Sequence, residues 1–423
     1  MDWPIRYRDI KKWYDHVENF IGVSGNKDKL PQIPDGNFLP PWSMNCIEKH
    51  IKFRISKHYN DRVLTIGRTT NLTKPHGGRG KCMARNLCVR GCPYGAYFSS
   101  NSVTLPAAQK TNKMTLRPNS IVHTILFDKN TKKATGVRVV DEITKETIEF
   151  KSKIVFLCAS TLGSTSILLN SVKNSFVDGL GNTSGQLGHN LMDNHFQVGA
   201  YGRYKGYENK YYKGRRPVDV LVPRFQNLDK KTERKEYLRG FSTYGWGGRD
   251  GWDRGMNSLE FGKKYKDSIT KPGDWYFTFL AFGECLPKFE NKVELDYDNI
   301  DRWGIPKLVV DMEFGENEKE MRKEMASSSA EMLDISGFKD INTYDNPSEP
   351  GLSIHEMGTA RMGNSPKKSV LNKWNQMHDI PNVFVTDGSC MNSNGWGNPS
   401  LTYMALTARA CDYAVKELKK RNL

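Results

Sequence analysis

The sequence predicts a mixed α/β and α+β chain, in which an α/β portion closed by a C-terminal helix accompanies a separate antiparallel sheet. Three observations carry this expectation. The alternating runs "WYFTFLAFGECL", "KVELDY" and "KLVVDMEF" read as antiparallel strands of a sheet with one face covered. The segment "FLCASTLGSTSILLNS" (156–171) reads as a strand, a small-residue turn and a short apolar helix. From residue 399 onward, Leu401, Met404, Ala405, Ala408, Cys411, Val415 and Leu418 recur at helical spacing, so one face of that helix packs on a core.

In chain order, the first 70 residues combine a helix-like aromatic stretch, "YRDIKKWYDHVENFIG", with a proline-rich loop, "KLPQIPDGNFLPPW". Between 114 and 160, "MTLRPNSIVHTILFD", "TGVRVVD" and "TIEFKSKIVFLCAS" are strands of a sheet with short polar connections. A Gly/Tyr/Trp-rich middle (200–260) precedes the alternating runs, and a polar helix at about 316–336 is expected on the surface.

At 423 residues the chain is long enough for two or more domains, and with 37% hydrophobic and 26% charged residues it has the make-up of a globular protein rather than a disordered one. It contains no apolar run approaching a membrane span, and its first residues lack the apolar stretch of a signal peptide. The expected location is therefore cytoplasmic as written, or periplasmic if a longer native N-terminus carries a signal. The net charge of +16 is spread along the chain without a basic tail or basic helix, which reads as solvated surface and argues against a nucleic-acid partner. Of the eight cysteines, those at 46, 158, 285, 390 and 411 are scattered in apolar or helical surroundings and read as buried thiols of a reducing compartment.

Cys82, Cys88 and Cys92 differ, because "GKCMARNLCVRGCPYGAYFSSNS" gathers them in one loop bent by glycine and proline. Three thiolates in one short loop suit a soft metal or an iron–sulfur cluster, and they also suit three free or structural cysteines. A structural zinc site would need a fourth ligand that the neighbouring sequence lacks. Near the C-terminus, "SIHEMGTARMG" leads His355 into a small-residue turn, and "GWGNPSLTYMALTARA" starts a helix with Asn398 as N-cap and Pro399 at the first position. Capping accounts for Asn398, and a core histidine is the commoner fate of a lone His. A functional alternative also exists: a neutral imidazole takes a hydroxyl proton, and a helix N-terminus favours developing negative charge.

Taken together, "IHEMGTARMG", "SVLN", "HDIPNVFVTDGS" and "NPSLTYMALTARACDYA" resemble the C-terminal signature of the glucose-methanol-choline flavoprotein oxidoreductases. "CASTLGSTSILLNS", "SGQLGHNLMDNH" and "ENKVELDYDNIDRWGIP" are similar to further family segments in the same order, so the resemblance covers nearly the whole chain. It implies an FAD-dependent oxidation of CH–OH, with His355 as catalytic base and Asn398 as its partner. It further implies FAD contacts at Val122, Ala159, Asp387, Gly388 and Pro399. The cysteine loop resembles that of the sugar dehydrogenases of this family, which implies an iron–sulfur cluster on Cys82, Cys88 and Cys92. A sugar or glycoside would be the substrate, a 3-keto sugar the product of the glucoside 3-dehydrogenase kind, and an electron-carrier protein or cytochrome the acceptor. "YGWGGRDGWDRG" would suit a carbohydrate face or a surface loop.

The chain departs from the family in lacking the strand, GxGxxG turn and helix that hold the FAD pyrophosphate. The three-glycine spacings in "GLGNTSG" and "GWGGRDG" have no flanking strand and helix and read as loops. Asn194 is a smaller departure, standing in "LMDNH" where the family has Asp-His, so that His195 comes one place late. The expected organisation is an N-terminal helix and loop segment of the substrate side (1–70), then an incomplete FAD-binding Rossmann-like domain with the cysteine loop (71–195). An antiparallel-sheet substrate domain (196–345) follows, and the C-terminal part of the FAD-binding domain (346–423) carries the active site. A complementing N-terminal FAD-binding polypeptide is the expected partner; alternatively the chain is an inactive, truncated fragment, unstable by itself because strand edges lack cover.

Overall fold

The computed structural model describes residues 1–171, 176, 178–211 and 216–423, the side chains of Trp252 and Asn257 excepted. Helices α1 (Tyr7–Ile21) and α2 (Cys46–His58) come first, then β1 (Thr65–Ile66), the short α3 (Thr104–Gln109) and strands β2 (Ser120–Asp128), β3 (Lys133–Asp141), β4 (Thr147–Lys151) and β5 (Val155–Leu157). Next come α4 (Thr161–Asn170), β6 (His195–Tyr204), β7 (Val220–Val222), β8 (Phe241–Arg249), α5 (Gly262–Thr270) and β9 (Trp275–Gly283). Strands β10 (Lys292–Ile300) and β11 (Pro306–Asp311), helix α6 (Glu316–Asp334), β12 (Lys339–Asp345), β13 (Val383–Val385) and α7 (Ser400–Lys419) complete the chain.

The antiparallel sheet has the order β1-β7-β8-β9-β6-β12. Its central strand β9 alternates strictly: Trp275, Phe277, Phe279 and Ala281 are buried and the residues between them are half-buried. The buried face is covered by α2, through Ile47, Ile51 and Ile55 at four-residue spacing, and by Met321, Met325, Met332 and Leu333 of α6. The polar helix expected on the surface thus buries one methionine-rich stripe on the sheet. Asn45 starts α2 with a reciprocal cap, its Oδ1 accepting from Glu48 N–H while Glu48 Oε2 accepts from Asn45 N–H. "KVELDY" and "KLVVDMEF" do not extend the sheet; β10 and β11 form a hairpin of their own in which Tyr297, Val309 and Val310 are exposed.

In the other half, β2-β3-β4 make the expected short-looped sheet, but "TIEFKSKIVFLCAS" breaks at Ser152 and its second part, β5, pairs in parallel with β13. Phe156 and Phe384 stack at 4.9 Å across that pair. Ile125, Leu157, Leu168, Met362, Val385 and Leu406 belong to this half's core. The first 70 residues divide between the two cores, since Ile5 and Ile10 pack with this one whereas α2 and Ile66 pack with the sheet.

Several expectations are corrected. On α7 the expected stripe holds in its first half, where Ala405 is buried and Leu401, Met404 and Ala408 pack partly buried against α1, but Cys411, Val415 and Leu418 are exposed and the buried residues there are Arg409, Ala410 and Ala414. Of the five scattered thiols only Cys285 and Cys390 are buried; Cys46 is half-buried, and Cys158 and Cys411 are exposed. "GLGNTSG" lies in turns as expected, but Gly245, Gly247 and Gly248 of "GWGGRDG" are strand residues of β8. They keep the sheet flat against its neighbours, because a Cβ at Gly245 would come within 2.6 Å of the Phe277 ring. Gly245→Ala is therefore expected to cost about 1–3 kcal/mol, seen as a lower urea midpoint. Val415→Ala, at an exposed position of α7, is expected to stay within about 0.5 kcal/mol.

Candidate active site

The turn after His355 is built by two chains zippered together. Met192 and Met357 exchange both backbone hydrogen bonds at 2.9 Å, and Gly358 N–H, Ala360 N–H and Met362 N–H donate to the carbonyls of Gly388, Ser389 and Cys390. Gly358 has φ +101°, and a Cβ there would lie 2.3 Å from the Asn190 carbonyl, so this close approach requires glycine. The Asp193 carboxylate, 1% exposed, gathers the segment before the histidine. It accepts from Gly351 N–H (2.8 Å), Ser353 N–H and Oγ–H, and His355 N–H (3.0 Å).

His355 is half-buried and held on both ring nitrogens. Nδ1 lies 3.0 Å from Asn194 Oδ1 and Nε2 lies 3.1 Å from Asn398 Nδ2. Tyr244 OH donates to Asn398 Oδ1 at 3.1 Å, a contact made possible by the alternation of β8, which turns Ser242 and Tyr244 away from the helix-covered face. Asn194 Nδ2 donates to the carbonyls of Gly283 (2.7 Å) and Gly395 (2.8 Å). Burial holds the His355 pKa below the ordinary histidine value, opposed in part by the Asp193 charge. The ring is thus neutral at neutral pH.

Asn398 does not cap α7. Pro399 occupies the N-cap position, no side chain caps the helix, and the Asn398 amide is spent on His355 and Tyr244 instead. The uncapped N-terminus of this 20-residue helix opens on a cavity of about 1440 Å³ lined by Tyr244, Asn394, Trp396, Asn398, Pro399 and Ser400, among others. Asn394 Nδ2 is buried there with no partner among the described residues. A roomy cavity with free N–H donors, a positive helix end and an orphaned amide suits a large ligand that carries acceptor groups or gains negative charge.

The FAD residues implied by resemblance fall into three places. Pro399 lines the cavity. Ala159, Asp387 and Gly388 lie together just past the carboxyl ends of β5 and β13, the edge where ligands bind in parallel α/β sheets. There Asp387 accepts from Ser164 Oγ–H and from Ser389 N–H and Oγ–H, and burial raises its pKa. Gly388 is packed tightly, since a Cβ would meet Thr161 Oγ1 and the Glu356 carbonyl within 2.5 Å. Val122 lies apart on β2, paired with Val139 and half-buried against the core. His195 is entirely buried, its ring nitrogens make no regular hydrogen bond among the described residues, and burial followed by Arg322 drives its pKa to about 3 against a weaker interaction with the Glu284 backbone.

Cys82, Cys88 and Cys92 line a second recess of about 350 Å³ with Asn71, Arg85, Arg216 and Asp219. Burial pushes the Cys92 thiol up, but the backbone N–H groups of Tyr97, Tyr94, Ala96 and Gly95 outweigh it and bring the pKa below the ordinary thiol value. Cys82 is raised by burial and then by its two neighbouring cysteines. Among the described residues, however, no three His, Cys, Asp or Glu side chains are grouped closely enough to hold a metal ion, these three cysteines included. Of "YGWGGRDGWDRG" only Tyr244 is among the residues that line the cavity: Trp246 lies on β8 outside it, the Trp252 side chain falls outside the described residues, and the tryptophans at the cavity are Trp3 and Trp396. In the sequence Asp193 appears only as a member of the family-like "SGQLGHNLMDNH" turn and Tyr244 only as the first residue of "YGWGGRDGWDRG", neither with a role of its own, and Asn194 only as a departure.

The N- and C-terminal sequence models of the GMC oxidoreductases match residues 66–196 and 287–407. The 2-methyl-1,2-propanediol dehydrogenase of Mycolicibacterium austroafricanum is 29% identical, the alignment spanning 98% of this chain and 74% of the relative. The fructose dehydrogenase large subunit of Gluconobacter japonicus is 25% identical over 99% of this chain and 75% of its own, and the paromamine 6'-oxidase of Streptomyces fradiae 24% over 99% and 73%. The fold is similar to that of pyridoxine 4-oxidase from Mesorbium loti, with a TM-score of 0.60 at 13% identity, covering 96% of this chain and 80% of that one. The geometry of the His355–Asn398 site and these matches lead to one conclusion: the chain belongs to the GMC oxidoreductase family, FAD-dependent dehydrogenases of CH–OH groups.

Proposed function

We propose that the chain oxidises a CH–OH group of a sugar or glycoside, His355 Nε2 taking the hydroxyl proton and Asn398 Nδ2 orienting the substrate oxygen. The observation that carries this reading is the side-by-side placement of a neutral imidazole nitrogen and an amide donor at 3.1 Å, next to an uncapped helix N-terminus on a large cavity. FAD, when bound, supplies the hydride acceptor. Pro399 and the first N–H groups of α7 would hold its flavin end, and Ala159, Asp387 and Gly388 its ribityl and phosphate portions. Val122, on a separate strand, would reach only the adenine end.

The sugar is supported by Trp396, which offers a flat apolar ring beside polar groups, and by the fructose dehydrogenase subunit among the relatives. A relative named for a propanediol favours a smaller vicinal diol as the competing substrate. A 3-keto product, a cytochrome or other electron-carrier acceptor, and a complementing FAD-binding polypeptide belong to the same proposal. A partner polypeptide is supported by the fructose dehydrogenase relative, which is named as the large subunit of its enzyme. An iron–sulfur cluster on Cys82, Cys88 and Cys92 is supported by their shared recess and by the N–H groups directed at Cys92.

With the flavin loaded, bleaching of its visible band by glucosides and hexoses should be faster than by 1,2-propanediols, and the reverse order would favour the diol reading. His355→Ala should lower kcat/KM by roughly 10²–10⁴-fold, and retained activity would remove His355 from the chemistry. Since the base works in its neutral form and its pKa lies below the ordinary histidine value, kcat/KM should be flat above about pH 7 and fall only in more acidic solution. Iron analysis of anaerobically purified protein should find bound iron that Cys82→Ser loses; iron-free protein would reject the cluster.

A further inference from the structure

Asn194 is 2% exposed, and its amide can face only one way. Both N–H bonds of Nδ2 are directed at the carbonyls of Gly283 and Gly395, which accept and cannot donate. Turning the amide over would set carbonyl against carbonyl twice in a buried site, where each unmade hydrogen bond costs free energy. Oδ1 therefore points at His355 Nδ1, 3.0 Å away. A carbonyl oxygen has no proton to give, so Nδ1 carries the hydrogen. In the neutral ring Nε2 is then the bare nitrogen, and Asn398 Nδ2 donates to it at 3.1 Å. The far end of the chain agrees in direction, because Tyr244 OH donates to Asn398 Oδ1 and so holds the Nδ2 end of that amide toward the ring.

We propose that Asn194 is a positioning residue that selects the Nδ1–H tautomer of His355 and so leaves Nε2 unprotonated, its lone pair held by Asn398 Nδ2 until a substrate hydroxyl takes the place of that donor. The inference rests on the reading of His355 as the base. It gives a physical account of an amide at this position: a neutral acceptor fixes the tautomer without stabilising the imidazolium, as a carboxylate there would. The carboxylate that does face the ring, Asp193, is turned to the backbone N–H groups of residues 351, 353 and 355. The phenol of Tyr244 touches the ring only through Asn398.

The test is a nitrogen-15 spectrum of the full chain labelled at its nine histidines, with His355 identified by the signal lost in His355→Gln. The expected result is a protonated Nδ1 and an unprotonated Nε2 at pH 8, with the preference lost in Asn194→Leu. An Nε2–H ring in the unmodified protein, or an unchanged ring signal in Asn194→Leu, overturns the proposal. Should Asn194→Leu fail to fold, the near-isosteric Asn194→Asp serves instead: the acid limb of kcat/KM should move to higher pH, and an unmoved limb counts against the proposal. In a folded Asn194→Leu, kcat should fall at least about 100-fold, the scale of a misdirected catalytic histidine, with KM little changed. Full activity of His355→Gln would instead overturn the base assignment, while the tautomer is read from the spectrum whatever the activity.

Discussion

The Asp193 carboxylate is the interaction on which the site depends. Almost entirely buried, it exchanges water for the N–H groups of Gly351, Ser353 and His355 and the Ser353 hydroxyl, and in doing so ties residues 351–355 to the start of β6. Without it several donors would lose a charged partner at once, each such loss costing on the order of 1–3 kcal/mol. The adjacent residue, Asn194, then receives the imidazole, so two consecutive side chains fix first the backbone and then the ring of His355. The Met192–Met357 bridge and the glycine at 358 keep the two chains close enough for this arrangement to exist.

Around this anchor the two cores meet. The helix-covered sheet contributes Tyr244 from β8 and the Gly283 carbonyl from the end of β9; the α/β half contributes α7 and the turn before it. Because β8 alternates, the glycines that let it lie flat on Phe277 and Ile47 face one way, and Ser242 and Tyr244 face the other, holding the Trp396 carbonyl and the Asn398 amide. Packing on one side of a single strand therefore sets the orientation of a polar group on the other. An amide released from capping by its neighbour proline is free to complete the row Asn194, His355, Asn398, Tyr244, in which every hydrogen bond runs in the same sense.

Much of this was legible in the sequence wherever the pattern is local. The strict alternation of "WYFTFLAFG" foretold β9 and the covered face of its sheet, and "CASTLGSTSILLNS" foretold the strand, turn and α4. His355 and Asn398 were identifiable as a pair because the family signature surrounding them is long. The failures share a cause. Helical spacing on α7 pointed to Cys411, Val415 and Leu418, but which stripe of a helix is buried depends on what lies against it, here α1 and the core around Phe384. "KVELDY" and "KLVVDMEF" have strand composition and form strands, yet pair only with each other, because pairing partners are set by the course of the whole chain.

What the sequence alone determined is the identity of the elements, the cysteine loop and the residues of the His355–Asn398 pair, since periodicity, turn chemistry and motif spacing are carried by neighbours along the chain. Only the tertiary structure decided that Asn398 is no helix cap, that the three thiols share a recess without being grouped closely enough to hold a metal ion, and that Asn194 and Tyr244 belong to the site. The physical reason is directional: Asn194 and His355 are 161 residues apart and Tyr244 and Asn398 are 154 apart. The sense of a hydrogen bond between such residues follows from the carbonyls packed behind them, which no local pattern encodes.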